Sequence, residues 1–409
     1  MKGLFVSPFF PYPPLAGGQS RIWNLIRHLS AEAQTHLLSF FEPEAGLPDV
    51  QGARSHCQRV EVVPRRPHPY PSRFGQAAPQ VVKDFYHPEM LEALRRLIAE
   101  ERYDVVQIEY AHMGDYLPSF HPGDPPPPAR CLTECEITFE SLYRQARREP
   151  WGRRKASLFW EYLKMLSYET RACQAADCVI TVSQRDRRQL LSFAPRAQVE
   201  CVPVGVDTEA VPFHSGPREP DSILFLGYMS HPPNVQGLAF FYREVFPLVQ
   251  RLRSGARLRV VGSRAEVELP RLAPDLHAAL TSDTAVELVG TVPDTIPYLH
   301  RASLMVVPVL VGAGVRVKIF ESFGAGLPVV STSLGAEGIP VREGEHLRLA
   351  DSPPEMARAI VQVLEKPEQA AEMAQRARRL VEEQFDYRAL AKRLLSVYEQ
   401  TLAKVRAVR

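Results

Sequence analysis

A glycine turn that leads directly into a helix is the strongest chemical signal in this sequence. Residues 309–326 read VLVGAGVRVKIFESFGAG, so that an apolar strand ends at the Gly-Ala-Gly turn 312–314 and a helix begins at once. Glycines allow backbone N–H groups to approach an anion, and a helix N-terminus adds positive partial charge. Arg316 and Lys318 fall in the first turn, where the helix dipole disfavours cations. The pattern predicts a site for an anionic ligand; a tight turn with both cations solvated is the alternative.

A carboxylate follows the two cations on the same helix. Glu321 lies three residues beyond Lys318, so the two side chains are neighbours on one helix face. A carboxylate one turn inside a phosphate-binding helix can accept hydrogen bonds from a ribose diol, and a plain salt bridge is the alternative. The sequence contains neither GxGxxG nor GxxxxGK[ST], which excludes a dinucleotide fingerprint and a P-loop.

Two further carboxylates and a histidine follow predicted strands in the first half of the chain. Glu134 and Glu136 alternate with Cys135 at the end of the strand ARCLTE, so we expect them to share a face. Two neighbouring carboxylates raise the pKa of one of them, which suits proton transfer; capping of the next helix is the alternative. His112 follows the strand DVVQIEY and is a second candidate, although a loop histidine is often solvated or structural.

Apolar strands alternate with amphipathic helices along the whole chain, which is typical of βαβ units and parallel sheets. The glycine pair Gly17-Gly18 lies in the first strand-to-helix loop, where it permits close backbone approach to a diphosphate or an acceptor; an ordinary tight loop is the alternative. The polar, Pro-rich stretch VPFHSGPREPDS resembles a linker. We therefore predict one α/β domain over residues 1–211, a second over residues 221–385, and a last helix within residues 386–409. Two such domains offer a cleft between the carboxyl ends of their sheets.

Composition excludes several classes of protein. The chain has 409 residues and a formal net charge of +2, whereas a dedicated nucleic-acid binder is usually strongly basic. No apolar run approaches the ~20 residues that span a bilayer, and the N-terminal MKGLFVSPFF is interpreted as a strand rather than a signal peptide. The six cysteines show no zinc-ligand spacing and are expected to be buried free thiols in a reducing cytosol.

One stretch mixes basic and aromatic side chains. Between Arg144 and Lys164 these are Arg147, Arg148, Trp151, Arg153, Arg154, Lys155, Phe159 and Trp160. Such residues suit an anionic membrane surface or a lipid-linked acceptor. A solvated helix face with its aromatics in the core is the alternative.

Long segments of the chain resemble a known family. The run VELVGTVPDTIPYLHRASLMVVPVLVGAGVRVKIFESFGAGLPVVSTSLGAEGI is similar to the donor-binding half of GT-B glycosyltransferases, specifically family 4. In the first half, SPFFPYPPLAGGQSRIWNLIRHLS resembles the glycine loop and helix at the N-terminus of that family. The resemblance implies two Rossmann-like domains that face each other across a cleft. Residues 1–211 would form the acceptor-side domain and residues 221–385 the donor-binding domain, and the C-terminal helix within 386–409 would cross back to the first domain.

The resemblance also implies an activity. Family members transfer a sugar from a nucleotide-sugar donor with retention of configuration, without a metal ion or other cofactor, to a glycan, lipid-linked or small-molecule acceptor. Basic side chains and a helix N-terminus stabilise the departing diphosphate, which is electrostatic catalysis. We expect a role in cytoplasmic polysaccharide biosynthesis, with peripheral contact at the inner face of a membrane if the basic stretch serves that purpose. A GT-B nucleotide-sugar epimerase and an inactive nucleotide-sugar-binding module remain alternatives.

The sequence departs from the family pattern at three positions. Ala313 stands where many members have a glutamate, the loop from Gly227 to Asn234 lacks the usual Arg and Lys, and no histidine stands near Cys135. We infer that Arg316 and Lys318 bind the diphosphate in place of that loop. The catalytic candidates are then Arg316, Lys318, Glu134, Glu136 and His112. The donor-binding candidates are Gly17, Gly18, Gly227, Asn234, Val292 near the base, Gly312, Ala313, Gly314, Val315, and Glu321 at the ribose.

Overall fold

A computed structural model describes residues 1–71, 78–118 and 128–408 of the chain. These residues form two units. The N-terminal unit comprises Met1–Val204 together with the residues from Tyr387 onward, and the C-terminal unit comprises Gly205–Asp386. Each unit contains parallel strands that alternate with helices, which confirms the predicted α/β class.

The N-terminal unit is built on a parallel sheet. Its strands are β1 (Lys2–Ser7), β2 (Gln34–Phe41), β3 (Arg59–Pro64), β4 (Val105–Glu109), β5 (Ala129–Glu134), β6 (Cys178–Thr181) and β7 (Val199–Cys201). Within the described residues the strand order is β3-β2-β1-β4-β5-β6-β7. Strand β1 pairs with β2 on one side and β4 on the other, so the order reverses at this point. In open α/β sheets, ligands bind beyond the carboxyl ends of the strands at such a switch point.

Helices cover the sheet of the N-terminal unit. They are α1 (Gly17–Leu29), α2 (Val50–Ala53), α3 (Gln80–Asp84), α4 (Pro88–Glu100), α5 (Thr138–Arg148), α6 (Arg153–Ala175) and α7 (Gln184–Phe193), with short 3-10 turns at Pro43–Ala45 and Ala111–Tyr116. The apolar stripe of α1 is buried, as its spacing predicts. Every residue of β4 is buried because helices shield both faces of a parallel sheet.

The C-terminal unit repeats this plan with a second parallel sheet. Its strands are β8 (Ser222–Leu226), β9 (Arg257–Val261), β10 (Val286–Gly290), β11 (Leu304–Val307), β12 (Val329–Ser331) and β13 (Arg348–Leu349). The order among the described residues is β10-β9-β8-β11-β12-β13, so this sheet changes direction between β8 and β11. The loops that follow β8 and β11 are therefore neighbours.

The helices of the C-terminal unit are α8 (Pro232–Phe240), α9 (Phe246–Leu252), α10 (Ala265–Leu272), α11 (Pro274–Ser282), α12 (Ile296–Arg301), α13 (Val317–Gly324), α14 (Pro353–Glu365) and α15 (Pro367–Gln384), and a π-helical turn, Phe241–Val245, joins α8 to α9. The apolar faces of α8, α9, α10, α11, α14 and α15 share one core with the sheet. Helix α13 is the element that the glycine turn was expected to start.

The last helix, α16 (Tyr387–Val408), packs against α1 of the N-terminal unit. Its side chains Leu390, Leu394 and Val397 are buried in the same apolar cluster as Ile22 of α1. The Tyr398 hydroxyl donates a hydrogen bond to the Gln107 amide oxygen on β4. The prediction that this helix returns to the first half of the chain is confirmed.

The Pro-rich stretch that resembles a linker is held firmly within the C-terminal unit. The Arg218 guanidinium donates hydrogen bonds to backbone carbonyl groups at two places in this unit, residues 299–302 and 325–326. Burial lowers the pKa of Arg218 to about 10. Composition alone could not reveal this attachment, because a single arginine with five donors satisfies carbonyls that lie far away in the sequence.

Candidate functional site

The switch point of the C-terminal unit brings together two loops that the sequence singled out. Strands β8 and β11 pair in parallel, with Leu304 opposite Ile223. The loop after β8 contains Gly227 and leads into α8, whose first turn contains Asn234, and the loop after β11 contains the turn 312–314. Parallel strands place their carboxyl ends at one edge of the sheet, so the two loops lie side by side there.

The turn at 312–314 requires glycine at both ends. Gly312 and Gly314 have φ values of 119° and 77°, a region that side chains disfavour. The Arg316 guanidinium folds back onto this turn, where it donates to the carbonyl of Ala313 at 2.6 Å and to that of Gly314. Arg316 precedes α13, which begins at Val317. These carbonyls offset the unfavourable position of a cation at a helix start, so an anion is not required for that purpose.

Lys318 connects α13 to the end of β8 and the start of α8. Its ammonium donates to the backbone carbonyl of Leu226 and, at 3.1 Å, to the side-chain oxygen of Asn234. Desolvation lowers the pKa of Lys318 to about 8; the nearby Arg316 adds to the decrease and Glu321 opposes it. The sequence placed this cation near the turn but gave no sign that it would hold the neighbouring loop.

A third basic group lies close to these two. Desolvation lowers the pKa of His231 to about 4, with further contributions from Arg316 and Lys318, although the residue as a whole is exposed. Arg316 disfavours the charged forms of Lys318 and His231, which indicates a local positive potential, and His231 itself is neutral at physiological pH. An anion bound here would relieve that repulsion. The sequence singled out Arg316 and Lys318 for this role, and His231 only as a substitute for them.

The glycine after β8 allows the loop to pack tightly. A Cβ added at Gly227 would lie 3.2 Å from the Asn234 side chain, which in turn donates to the Tyr228 carbonyl at 2.9 Å. Gly227, Asn234 and Lys318 therefore form one connected group. The assigned donor-binding roles of Gly227 and Asn234 stay predictions.

The remaining donor-side candidates divide into two groups. Val315 and Glu321 lie near Arg316 and Lys318, which we call the cation cluster. Desolvation raises the pKa of Glu321, and Lys318 lowers it. Val292 follows β10, which is two strands away from β8 in the sheet. The roles expected for Glu321 at a ribose and for Val292 at a base stay predictions.

In the N-terminal unit, the start of α1 contacts Tyr110, an aromatic residue with an unusual backbone conformation. A Cβ added at Gly18 would lie only 2.2 Å from the Tyr110 hydroxyl and 3.0 Å from the Phe9 ring. Tyr110 has a φ of 70°, which is unusual for a bulky residue and is found at functional sites. Gly17 begins α1 beside it. Sequence reasoning found the glycines but missed Tyr110, whose left-handed backbone leaves no mark in the sequence.

His112 lies between two aromatic rings. The ring centroids of Phe85 and Tyr110 are 4.6 Å and 5.4 Å away, and the Nε2 atom of His112 is buried without a hydrogen-bond partner among the described residues. Desolvation, assisted by Arg65, lowers the pKa of His112 to about 3. The imidazole is therefore neutral at physiological pH, so His112 can accept or donate a hydrogen bond but does not act as a cation. Its catalytic role stays a prediction.

The strand pattern predicted Glu136 as the neighbouring carboxylate of Glu134, but Glu134 pairs mainly with a different residue. Glu134 is 1% exposed, and its carboxyl group contacts that of Glu169 on α6. Glu169 accepts hydrogen bonds from the backbone N–H groups of Thr138 at 2.9 Å and Phe139 at 3.0 Å, so it is Glu169 that caps α5. The strand turns Glu134 towards the protein interior, where a carboxyl group from a distant helix lies opposite.

Burial favours protonation of this carboxyl pair. Desolvation and the neighbouring Glu169 raise the pKa of Glu134 well above its ordinary value, whereas desolvation raises that of Glu169 only to about 7. Glu136 is half-buried and contributes less to the shift of Glu134. The expectation that neighbouring carboxylates raise one pKa holds, but with a different partner. The roles of Glu134 and Glu136 in catalysis stay predictions.

A buried ion pair supports the loops at this end of the sheet. Arg21 on α1 lies 3.4 Å from the Glu109 carboxylate at the end of β4, and both side chains are buried. The Arg21 guanidinium also donates to the Val202 carbonyl, and the Gln107 amide donates to Glu109. Helix α1, whose first turn contains Gly17 and Gly18, is thereby fixed to β4. No sequence pattern pairs Arg21 with Glu109, because 88 positions separate them in the chain.

Two family models together match most of the chain. The model described as Glycosyltransferase Family 4 matches residues 15–210, and the model described as Glycosyl transferases group 1 matches residues 220–366. Among solved structures, sucrose-phosphate synthase from Thermosynechococcus elongatus is similar over 99% of this chain and 100% of its own, with a TM-score of 0.75 and 18% identity. The chain is a GT-B glycosyltransferase that resembles family 4.

Other solved structures share the fold of this glycosyltransferase. The Anabaena protein HepE, solved in complex with UDP and glucose, has a TM-score of 0.69 at 14% identity and covers 98% of this chain and 99% of its own. WaaG, described as a glycosyltransferase involved in lipopolysaccharide biosynthesis, has a TM-score of 0.65 at 14% identity, with 97% and 99% covered. At these identities the likeness shows the fold alone.

One curated relative of the glycosyltransferase is found by sequence. It is an uncharacterised 44.6 kDa protein in the cps region of Klebsiella pneumoniae, 26% identical over 169 residues. The match covers 40% of this chain and spans 42% of the length of that relative. The relative has no described activity, so substrate and acceptor must be argued from the site.

Two further features of the glycosyltransferase concern metals and membranes. Within residues 1–71, 78–118 and 128–408, no group of three or more His, Cys, Asp or Glu side chains could hold a metal ion. Metal independence nevertheless stays a prediction, since a donor diphosphate can bring its own cation. No helix in the described part of the chain is long and apolar enough to span a bilayer.

Proposed function

We propose that this glycosyltransferase transfers a sugar from a nucleotide-sugar donor to a carbohydrate, lipid-linked or small-molecule acceptor, with retention of configuration and without a metal ion. Both family models support transfer of a glycosyl group. HepE, which shares the fold, was solved with UDP and with UDP-glucose. WaaG and the cps-region relative support polysaccharide biosynthesis as the setting.

The cation cluster beside the glycine turn carries this proposal. Arg316 lowers the pKa of Lys318, and both lower the pKa of His231, which is neutral at physiological pH, so the positive potential at the carboxyl edge of the sheet comes from the arginine and the lysine. When the glycosidic bond breaks, negative charge collects on the departing diphosphate, and a fixed positive potential lowers the energy of that state. A lysine ammonium carries three donors. Leu226 and Asn234 use two of them, so that a phosphate oxygen can accept from the third.

Steady-state kinetics of Lys318→Ala and Arg316→Ala test the role of the cluster. If these cations bind the leaving diphosphate, turnover falls more than donor affinity, because the attraction grows as the bond breaks. Removal of one such contact should cost roughly 2–4 kcal/mol of transition-state stabilisation. Arg342→Ala is the matched control, since Arg342 is an exposed arginine of the same unit, paired with Glu345.

Two outcomes would contradict the assignment. Near-normal kcat in both variants, with Arg342→Ala also normal, would show that the diphosphate is bound elsewhere. A melting temperature that falls in parallel with kcat would show that the variants act through the fold, because Arg316 also holds the turn and Lys318 the loop. His231→Ala and Asn234→Ala would then be the next variants to measure.

Acceptor-free release of nucleoside diphosphate distinguishes the alternatives. A transferase hydrolyses its donor slowly when no acceptor is present, an epimerase releases nucleotide without needing an acceptor, and an inactive binding module releases none. The inactive module is suggested by Ala313 and Cys135, which stand where family members carry a glutamate and a histidine. Thermal shift across a panel of nucleoside diphosphates identifies the base, and binding without any turnover would refute the proposed activity.

A further inference from the structure

The first turns of α6 carry large apolar side chains that face solvent. Trp151, in the turn just before the helix, is 93% exposed, Trp160 is 58% exposed and Leu163 is 45% exposed. The buried residues of α6 begin only at Lys164. An ordinary amphipathic helix buries its apolar stripe against a core. The exposed apolar side chains of the first half of α6 are not buried in this way against any element in the described part of the chain.

The aromatic side chains of this region contact one another and the neighbouring cations. Tyr143 on α5 packs against Phe159 and Tyr162 on α6, with ring centroids 6.3 Å and 5.3 Å apart. The Lys155 ammonium lies 4.7 Å from the ring centroid of Trp151. We call this set, which is exposed except for the half-buried Lys155, the α5–α6 surface; its members are Tyr143, Arg147, Arg148, Trp151, Arg153, Arg154, Lys155, Phe159, Trp160 and Leu163.

The α5–α6 surface is strongly positive. The members of the α5–α6 surface include five basic side chains and no acid, a charge of +5 within a chain whose total is +2, and one acid lies among them in the sequence. The acid, Glu149, contacts Arg154 at 3.2 Å, and its carbonyl accepts from Lys155. The neighbouring Glu140 and Glu161 bind Arg144 and Lys164, outside the surface itself. Positive charge therefore surrounds the exposed aromatics.

We propose that the α5–α6 surface binds the anionic face of a lipid bilayer. Tryptophan, phenylalanine and leucine enter the boundary between headgroups and acyl chains, while Arg and Lys interact with anionic headgroups. A second copy of the chain is a poorer occupant, because self-association would bring two surfaces of charge +5 together. The contact is independent of the proposed sugar transfer, and it would place the enzyme beside lipid-linked acceptors.

Co-sedimentation of the full chain with vesicles tests the contact. We expect binding to phosphatidylcholine vesicles that contain phosphatidylglycerol, and weak binding to phosphatidylcholine alone. Trp151→Ala with Trp160→Ala should reduce the affinity about tenfold or more, and Arg147→Gln with Arg153→Gln should do the same at low salt. These residues are exposed, so the melting temperature should not change.

Matched substitutions elsewhere on the N-terminal unit provide the control. Leu47 and Arg95 are exposed but lie outside the α5–α6 surface, so Leu47→Ala with Arg95→Gln should bind vesicles as the parent does. Fluorescence gives a second readout. Trp23 is buried, and the other two tryptophans of the chain are Trp151 and Trp160, so a blue shift on mixing with anionic vesicles reports these two.

Several results would overturn the proposal. Absence of binding to anionic vesicles at low salt would do so, as would equal loss of binding in the control variant. A concentration-dependent dimer in sedimentation velocity, abolished by Trp151→Ala with Trp160→Ala, would assign the surface to a second copy. Donor hydrolysis in the absence of vesicles should be unchanged in all variants, so failure of vesicle binding and failure of the proposed sugar transfer are distinguishable.

Discussion

Substitution of Glu134 by glutamine should stabilise the N-terminal unit at neutral and alkaline pH. The folded state raises the pKa of Glu134 and that of its partner Glu169, the latter from 4.5 to about 7. A carboxyl group whose pKa is raised by folding supports the folded state at low pH. That support is lost as the pH rises from the unfolded pKa through the folded one. Glutamine keeps the shape of the side chain and a donor to Glu169 but has no proton to lose.

The magnitude follows from the pKa shift of the buried pair. While Glu134 keeps its proton in the folded state and loses it in the unfolded state, the parent loses at most roughly 1.4 kcal/mol of stability per pH unit. Both carboxyl groups are almost fully buried, so screening by solvent reduces this little. At about pH 4, Glu134 is largely protonated in both states, and Glu134→Gln should unfold like the parent. The gain should grow with pH from there to about pH 8.

Urea unfolding followed by tryptophan fluorescence measures this gain in the correct unit. All three tryptophans, Trp23, Trp151 and Trp160, belong to the N-terminal unit, so the signal reports its unfolding alone. Linear extrapolation at a series of pH values yields the free energy of unfolding. Glu92→Gln, an exposed carboxyl on α4, is the matched control and should change little at any pH.

A Glu134→Gln variant that gains no stability at about pH 8, or gains equally at about pH 4, would refute the buried-pair reasoning. The same variant also tests catalysis. If Glu134 transfers a proton to or from substrate, donor turnover falls even as stability rises. If its role is to share a proton with Glu169, turnover is retained.

Three further predictions concern the ligand and the loops. Lys318 has a pKa of about 8 in the free protein, and a bound diphosphate should raise it, so UDP affinity should fall as the pH rises above about 8. Calorimetry in buffers of different ionisation enthalpy should detect proton uptake, and a flat affinity from about pH 7 to 9 would contradict this role. Gly18→Ala places a Cβ against the Tyr110 hydroxyl and should destabilise the N-terminal unit by about 1–3 kcal/mol. Adding Tyr110→Phe should restore much of that loss in urea unfolding, and equal losses in the single and double variants would disprove the contact. Transfer activity should survive a strong chelator, since no metal-binding carboxylate pair is expected at the diphosphate; activity lost to chelator and restored by Mg²⁺ would contradict the metal-free mechanism.

Local sequence patterns predicted the alternation of strands and helices, but not every element or its exact end. Local patterns were sufficient for the two α/β units, because a buried parallel strand needs a continuous apolar run and its covering helix needs a stripe of period 3.6. The turn 312–314 and the start of α13 were also predictable, because positive φ at Gly312 and Gly314 is a local requirement. The apolar positions of α16 showed that it needed a partner surface, and the resemblance to the family indicated where that surface lies.

The pairing of the charged groups is visible in the tertiary structure and not in the sequence. Glu134 and Glu169 are 35 positions apart in the chain and Arg21 and Glu109 are 88 apart, yet each pair is buried together. Lys318 reaches Asn234 across 84 positions, because β8 and β11 are neighbours in the sheet although β9 and β10 separate them in the chain. Strand order fixes these pairings, and it results from the packing of the whole unit rather than from any local pattern. Burial then decides the charge of each group, because removal from water costs free energy that only a nearby partner offsets.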